Sequence, residues 1–169
     1  MYSEPKEALA AELNFKHPAV LAVSGVKGCG KTTLLAALVP VLKRRGMKVG
    51  IIRKADVPAA VDADTARLHD AGTEGVAVFT SDRYLLTEQF RLTEQDLLAL
   101  FERHGYDLVL LEGFNDSGWP KIEVIRKAVS TENAAFQPLA IVGDVPGADF
   151  APDETEALAD WIETQMPAL

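Results

Sequence analysis

Apolar residues fall along this chain in two spacings: short unbroken runs, and stretches in which they recur every three or four positions. That alternation predicts an α/β fold with a mainly parallel sheet flanked by helices in three layers. The first run, Pro18-Ala-Val-Leu-Ala-Val-Ser24, has the length of a buried strand. After a glycine-rich link, Thr33-Leu-Leu-Ala-Ala-Leu-Val-Pro-Val-Leu42 has helical spacing. Pro40 predicts a kink near Ala36 or Ala37 rather than a break. Lys43, Arg44 and Arg45 then oppose the negative end of the helix dipole before Gly46 ends the helix. Met47-Lys-Val-Gly-Ile-Ile-Arg53 reads as a second strand, completing a βαβ unit.

Further on, Lys54 to Asp62 has weak periodicity and a proline, and reads as a loop leaving the sheet edge where α/β ligands bind. A short helix is expected from Ala63 to Ala71, stopped by Gly72, with Asp62 or Asp64 near its N-cap. Gly75-Val-Ala-Val-Phe79 and Arg83-Tyr-Leu-Leu86 are strand candidates. Thr93 to Arg103 is an amphipathic helix facing the core through Leu97, Leu98 and Phe101. Tyr106 to Phe114 contains a continuous apolar strand, and Pro138 to Asp144 a last buried one. Between them, Lys121-Ile-Glu-Val-Ile-Arg126 alternates polar and apolar residues, the pattern of an edge strand or one with an exposed face. Glu154 to Ile162 is a closing helix, and Ser3 to about Phe15 a short N-terminal helical extension (residues 1–17) without catalytic content.

The link between the first strand and helix carries the chemistry. Gly25-Val26-Lys27-Gly28-Cys29-Gly30-Lys31-Thr32 fits G-x-x-x-x-G-K-[ST], a phosphate-binding loop in its strand-loop-helix context. Glycines let successive backbone N–H groups turn toward one anion, and the helix N-terminus adds unpaired N–H groups and positive dipole. Lys31 is assigned to the β/γ-phosphates, the Thr32 hydroxyl to Mg²⁺ and Thr33 to the α-phosphate. The alternative, a glycine turn capping an ordinary helix, leaves the coincidence of all four fixed positions unexplained. Tyr106-Asp-Leu-Val-Leu-Leu-Glu112-Gly113-Phe114 ends in a carboxylate and a glycine, as the second acidic motif of such proteins does, so Glu112 is expected to face Mg²⁺ or the attacking water. On its own, a strand-end Glu is as readily a hydrated surface group. Asp144 can accept two donors from a guanine edge, or simply serve the turn before Val145-Pro146-Gly147. Trp119 and Phe114, which flank Asn115 to Gly118, suit stacking on a ligand or partner, and equally suit core packing.

Composition narrows the classes. The chain has 169 residues, 48% hydrophobic and 25% charged, which fits one globular domain spanning 1–169. A formal charge of −8 argues against a general nucleic-acid binder. A single cysteine, Cys29, excludes an intramolecular disulfide and a Cys-based zinc site, which suits a reducing cytoplasm. Lys31 and the loop N–H groups can lower the pKa of Cys29, although the motif leaves that position free and a loop filler suffices. Neither a secretory apolar segment nor an 18-residue apolar stretch occurs, so neither export nor membrane insertion is expected.

Taken in order, these segments resemble the MobB family, molybdopterin-guanine dinucleotide biosynthesis protein B, from Val20 to about Met166. The resemblance rests on the phosphate loop with Thr32-Thr33-Leu34, Asp107 to Phe114, Lys121 to Arg126, Ala140-Ile-Val-Gly-Asp144, and Asp64 with Ala71-Gly72. It implies a homodimeric GTP-binding adaptor with Mg²⁺ and weak GTPase activity. Such an adaptor assists a MobA-type nucleotidyltransferase in attaching GMP to molybdopterin. It also implies that Gly28, Gly30, Lys31, Thr32 and Thr33 hold the nucleotide and Glu112 the magnesium or hydrolytic water. Two departures stand out: Lys54-Ala55-Asp56 lacks the family's Lys-His pair, and Gly143 replaces the usual Ser before Asp144. An Asn-Lys-x-Asp guanine motif is missing as well, so GTP over ATP rests on the resemblance. A small-molecule kinase remains open, although Arg83, Arg91 and Arg103 are scattered rather than paired on a lid. A metallochaperone GTPase is weakened by His17, His69 and His104 lying far apart.

Overall fold

In the computed structural model the described residues are 17–56, 60–135 and 137–169. The expected N-terminal helix, and Val57 to Ala59 of the first loop, lie outside them. In chain order the elements are β1 (Ala19–Ser24), α1 (Lys31–Arg44), β2 (Val49–Arg53), α2 (Ala63–Asp70), β3 (Gly75–Phe79), β4 (Tyr84–Glu88), α3 (Glu94–Arg103), β5 (Leu108–Glu112), β6 (Lys121–Ile125), β7 (Ala140–Gly143) and α4 (Thr155–Gln165), closed by a 3₁₀ turn at Met166–Ala168. They pack as two compact units, one of Met1–Lys54 with Gln95–Leu169, the other of Ala55–Glu94. Composition carries no mark of this division, because the smaller unit is inserted between β2 and α3 without a Gly/Ser-rich or charged linker.

The larger unit is built on a five-stranded sheet in the order β2-β5-β1-β6-β7, parallel throughout. β5 lies between β1 and β2, so the first βαβ unit spans a third strand. β1 and β5 are buried at every position, which is why they read as unbroken apolar runs. One sheet face packs Leu21, Val23, Leu108, Leu110, Ile122 and Val142 against Leu35, Leu38 and Leu42 of α1 and Leu158 and Ile162 of α4. The other packs Val20, Ala22, Ile52, Val109 and Leu111 against Leu98 of α3, with Leu97 and Phe101 beside it. Truncating a fully buried leucine such as Leu38 to alanine costs about 2–5 kcal/mol in sites of this kind.

As expected, α1 runs through Pro40 without a break, its ends set by Gly30 and by Arg45 before Gly46. One expectation changes. β6 is neither an edge strand nor exposed on one face: it lies between β1 and β7 with all five residues buried. Lys121 and Glu123 mislead because an alternating pattern normally marks a wet face, whereas here each polar side chain is buried against backbone partners. The Lys121 ammonium donates to Ser117 O at 2.6 Å and Asn115 O at 2.9 Å, and Glu123 Oε1 accepts from the N–H groups of Ala134 and Ala135.

The smaller unit joins α2 to an antiparallel pair, β3 with β4, in which Gly75 faces Glu88 and Phe79 faces Tyr84. Asp62 caps α2, its Oδ1 accepting from Asp64 N at 3.1 Å and Thr65 N at 3.0 Å. His69 ties helix to hairpin, Nδ1 lying 3.0 Å from Thr73 O and Nε2 2.8 Å from Thr87 Oγ1. Val78, Phe79, Tyr84, Leu85 and Leu86 are exposed. Among the described residues, no helix is long and apolar enough to cross a membrane.

Candidate functional site: a phosphate loop at the carboxyl edge of the sheet

The loop Gly25–Gly30 leaves the end of β1 in the middle of the sheet, where flanking strands bring their own ends alongside. Gly25 is buried at φ +142°, and a Cβ there would lie 2.5 Å from Val124 O and 2.7 Å from Cys29 Sγ, so only glycine fits. Gly30, left-handed at φ 96°, is the N-cap of α1 and offers no side chain to its first N–H groups. No acidic residue lies in that first turn, which leaves N–H groups and dipole available to an anion.

Each sequence-predicted residue can now be placed. Lys27 and Gly28 are exposed, Val26 is partly buried against the core, and Cys29 is fully buried within it. Burial places the Cys29 thiol among apolar side chains rather than in front of a solvent oxidant. Lys31 folds over the loop, its Nζ donating to Gly25 O at 2.9 Å and Val26 O at 2.8 Å, and lies 3.8 Å from Cys29 Sγ. Thr32 and Thr33 are exposed on the first turn of α1. The Thr32 hydroxyl donates to Glu112 Oε1, joining the two residues that the sequence linked only through motif order. Glu112, nearly buried at the end of β5, stands in register between Val23 and Arg53, and its Oε2 lies 3.4 Å from Arg53 Nε.

Asp144 sits just beyond β7 at the same sheet edge. Its Oδ1 accepts from Lys127 N at 2.6 Å, and Oδ2 lies 4.0 Å from Arg126 Nη1. Arg126 in turn lies over the start of α1, since a Cβ on Gly30 would be 3.6 Å from its Nε. Phe114 and Trp119 are partly buried against the second core face, the packing alternative of the two weighed for them. Among the described residues, no group of three or more His, Cys, Asp and Glu side chains is placed to hold a metal ion. His17 instead pairs with Glu102 at 2.9 Å, and His69 spans the smaller unit.

Three neighbours of the loop escaped the sequence reading. Arg53 ends β2 and Arg126 directly follows β6, positions that could have flagged them, since ligands of parallel sheets bind beyond strand carboxyl ends. Asn115, which grips Gly25 through both ends of its amide, gave no such signal.

Residues 20–144 of this chain match the family described as "MobB: Molybdopterin guanine dinucleotide synthesis protein B". The chain belongs to the MobB family. A MobB protein of Escherichia coli, named molybdopterin-guanine dinucleotide biosynthesis adapter protein, is 32% identical over 167 residues, covering 87% of this chain and 93% of its own. The protein of the same name in Haemophilus influenzae is 35% identical over 116 residues, 66% of this chain; the match spans 65% of that relative's length. Among solved structures, a crystal structure of molybdopterin-guanine biosynthesis protein B superimposes with a TM-score of 0.66 at 29% identity, covering 86% of this chain and 98% of that one. Bacillus subtilis MobB shares the fold, with a TM-score of 0.72 at 21% identity over 88% of this chain and 98% of its own. The α/β fold and the P-loop type of nucleotide site are thus those of MobB proteins.

Proposed function

We propose that this chain is a nucleotide-binding adapter of molybdopterin guanine dinucleotide synthesis, holding GTP with Mg²⁺ while a MobA-type partner transfers GMP to molybdopterin. The observation that carries the nucleotide assignment is the meeting of Thr32 with Glu112 beside the Lys31-capped loop. A hydroxyl and a carboxylate in contact form a hard oxygen set, which Mg²⁺ completes with water and phosphate oxygens. The ion would neutralise phosphate charge and hold the polyphosphate in place. Lys31 would follow the β/γ-phosphates, the first-turn N–H groups and Thr33 would take the remaining oxygens, and Asp144 is the candidate for reading the base.

Slow turnover follows from the charges around the loop. Arg53 is engaged with Glu112, and Arg126 lies over the start of α1 with Asp144 at 4.0 Å, so no pair of arginines closes over the loop as a phosphoryl-transfer lid would. Lys31 and the metal would then neutralise only part of the transition-state charge. This supports a holder of nucleotide rather than an efficient phosphoryl-transfer enzyme. In this reading the chain acts as a homodimer in the cytoplasm, with the transferase and with molybdopterin or its guanine dinucleotide.

The test is a nucleotide panel by calorimetry, with and without a MobA-type partner, recording affinity, hydrolysis and GMP transfer. GTP preference with partner-dependent transfer is expected. ATP preference with phosphoryl transfer to a small alcohol would replace the adapter with a kinase.

A further inference from the structure

Asn115 connects two parts of the larger unit that lie 90 residues apart in sequence. The Gly25 N–H donates to its Oδ1 at 3.1 Å, and its Nδ2 donates to Gly25 O at 3.3 Å. That same carbonyl accepts from Lys31 Nζ at 2.9 Å. Both acceptor positions of Gly25 O are therefore filled, one by the phosphate-reading ammonium and one by the asparagine.

The backbone that carries Asn115 is braced in its turn. The buried Lys121 ammonium donates to Asn115 O at 2.9 Å and to Ser117 O at 2.6 Å. Phe114, preceding it, holds a left-handed φ of 55°, uncommon for an aromatic residue and sustained only where the surroundings fix it. The start of the segment is tied to β1, Gly113 N donating to Val23 O at 2.9 Å and Ser24 Oγ to Gly113 O at 3.2 Å. A chain of direct bonds thus runs from Lys31 through Gly25 and Asn115 to the Phe114–Ser117 turn, with Trp119 just beyond it.

We propose that Asn115 is a positioning residue, which locks Gly25 in its phosphate-binding geometry and transmits occupancy of the loop to the segment Phe114–Trp119. The inference rests on the nucleotide reading above. Phosphate draws the Lys31 ammonium toward itself and weakens its bond to Gly25 O. Gly25 and the amide gripping it then resettle together, and the brace at Lys121 makes the turn follow as a unit. A partner that reads the turn reads whether the loop is filled.

The test uses Trp161→Phe, which leaves Trp119 as the remaining tryptophan of two. GTP is expected to change Trp119 emission in this protein. Asn115→Ala is expected to abolish that change and to weaken GTP about tenfold, the scale of one to two hydrogen bonds, with its melting profile showing a folded protein. Should that variant melt early, Asn115→Asp keeps the acceptor for the Gly25 N–H while losing the donor to Gly25 O, and is expected to lose the emission response as well. An unchanged affinity and response in both variants, or no response to bound GTP in the Trp161→Phe protein, overturns the relay. No nucleotide binding by the unsubstituted protein, read by calorimetry, overturns the nucleotide reading instead.

Discussion

Lys31 and Glu112 do different work at one loop, and substitutions separate them. Lys31 is the ammonium on the loop carbonyls, so Lys31→Ala is expected to remove measurable GTP binding by calorimetry while circular dichroism and melting stay near those of the parent. Unchanged affinity would remove Lys31 from the site. Glu112 meets Thr32 through a single carboxylate oxygen. Glu112→Gln keeps the shape and an acceptor but loses the charge, so its effect should depend on the metal. GTP affinity measured with Mg²⁺ should fall about tenfold or more, and affinity measured with chelator should barely move. At this scale the sequence was legible where chemistry fixes spacing: the residues from Gly25 to Thr32 close into one loop, with Lys31 bonded back onto its first two carbonyls. Arg53 and Arg126 carried only the hint of their strand-end positions, and what they and Asn115 touch is decided by strands far apart in the chain.

Elements reveal the limits of pattern reading. β1 and β5 are legible because both faces are covered and every position is apolar or at a strand end. β6 was misplaced because alternation reports polarity, and polarity reports exposure only when the fold supplies no internal partners. Lys121 found carbonyls and Glu123 found N–H groups, so the same alternation sits inside the sheet. Helix ends were read well where a side chain does the capping. The bonds from Thr65 hold the Asp62 carboxyl below its ordinary 3.8, and the Arg45 guanidinium of α1 holds Glu156 of α4 below its ordinary 4.5. A carboxyl that titrates lower folded than unfolded stabilises the fold fully above its unfolded value, and that contribution fades as pH falls through the folded one. The melting temperature is therefore expected to drop as pH is lowered below about 4.5. Arg45→Ala should flatten the part owed to Glu156, and Asp62→Asn the part owed to the α2 cap. A parallel decline in all three proteins would refute the assignment.

For the molecule as a whole, the family and the α/β architecture were legible from motif order, and the division into two units was not. Ala55–Glu94 holds its own helix, hairpin and His69 clip, yet its residues resemble those around it in polarity. The exposed side chains of β3 and β4 explain the failure: Gly75-Val-Ala-Val-Phe79 and Tyr84-Leu-Leu86 are as apolar as central strands, although a two-stranded sheet has too little cover to bury them.

Cys29 gives the whole molecule a built-in clock. It is the chain's single thiol, and it lies fully buried within the phosphate loop. A thiol reagent can reach it only when the loop opens, so the rate of alkylation under native conditions follows the open population of the loop when reclosing is fast. Bound GTP should slow that reaction roughly in proportion to the fraction of loops occupied, because ligand stabilises the closed form by mass action. Labelling as fast in saturating GTP as without it would mean that the loop does not close over its ligand. The residue that the binding motif leaves free would thus time the motif's own motion, without a label being engineered into the chain.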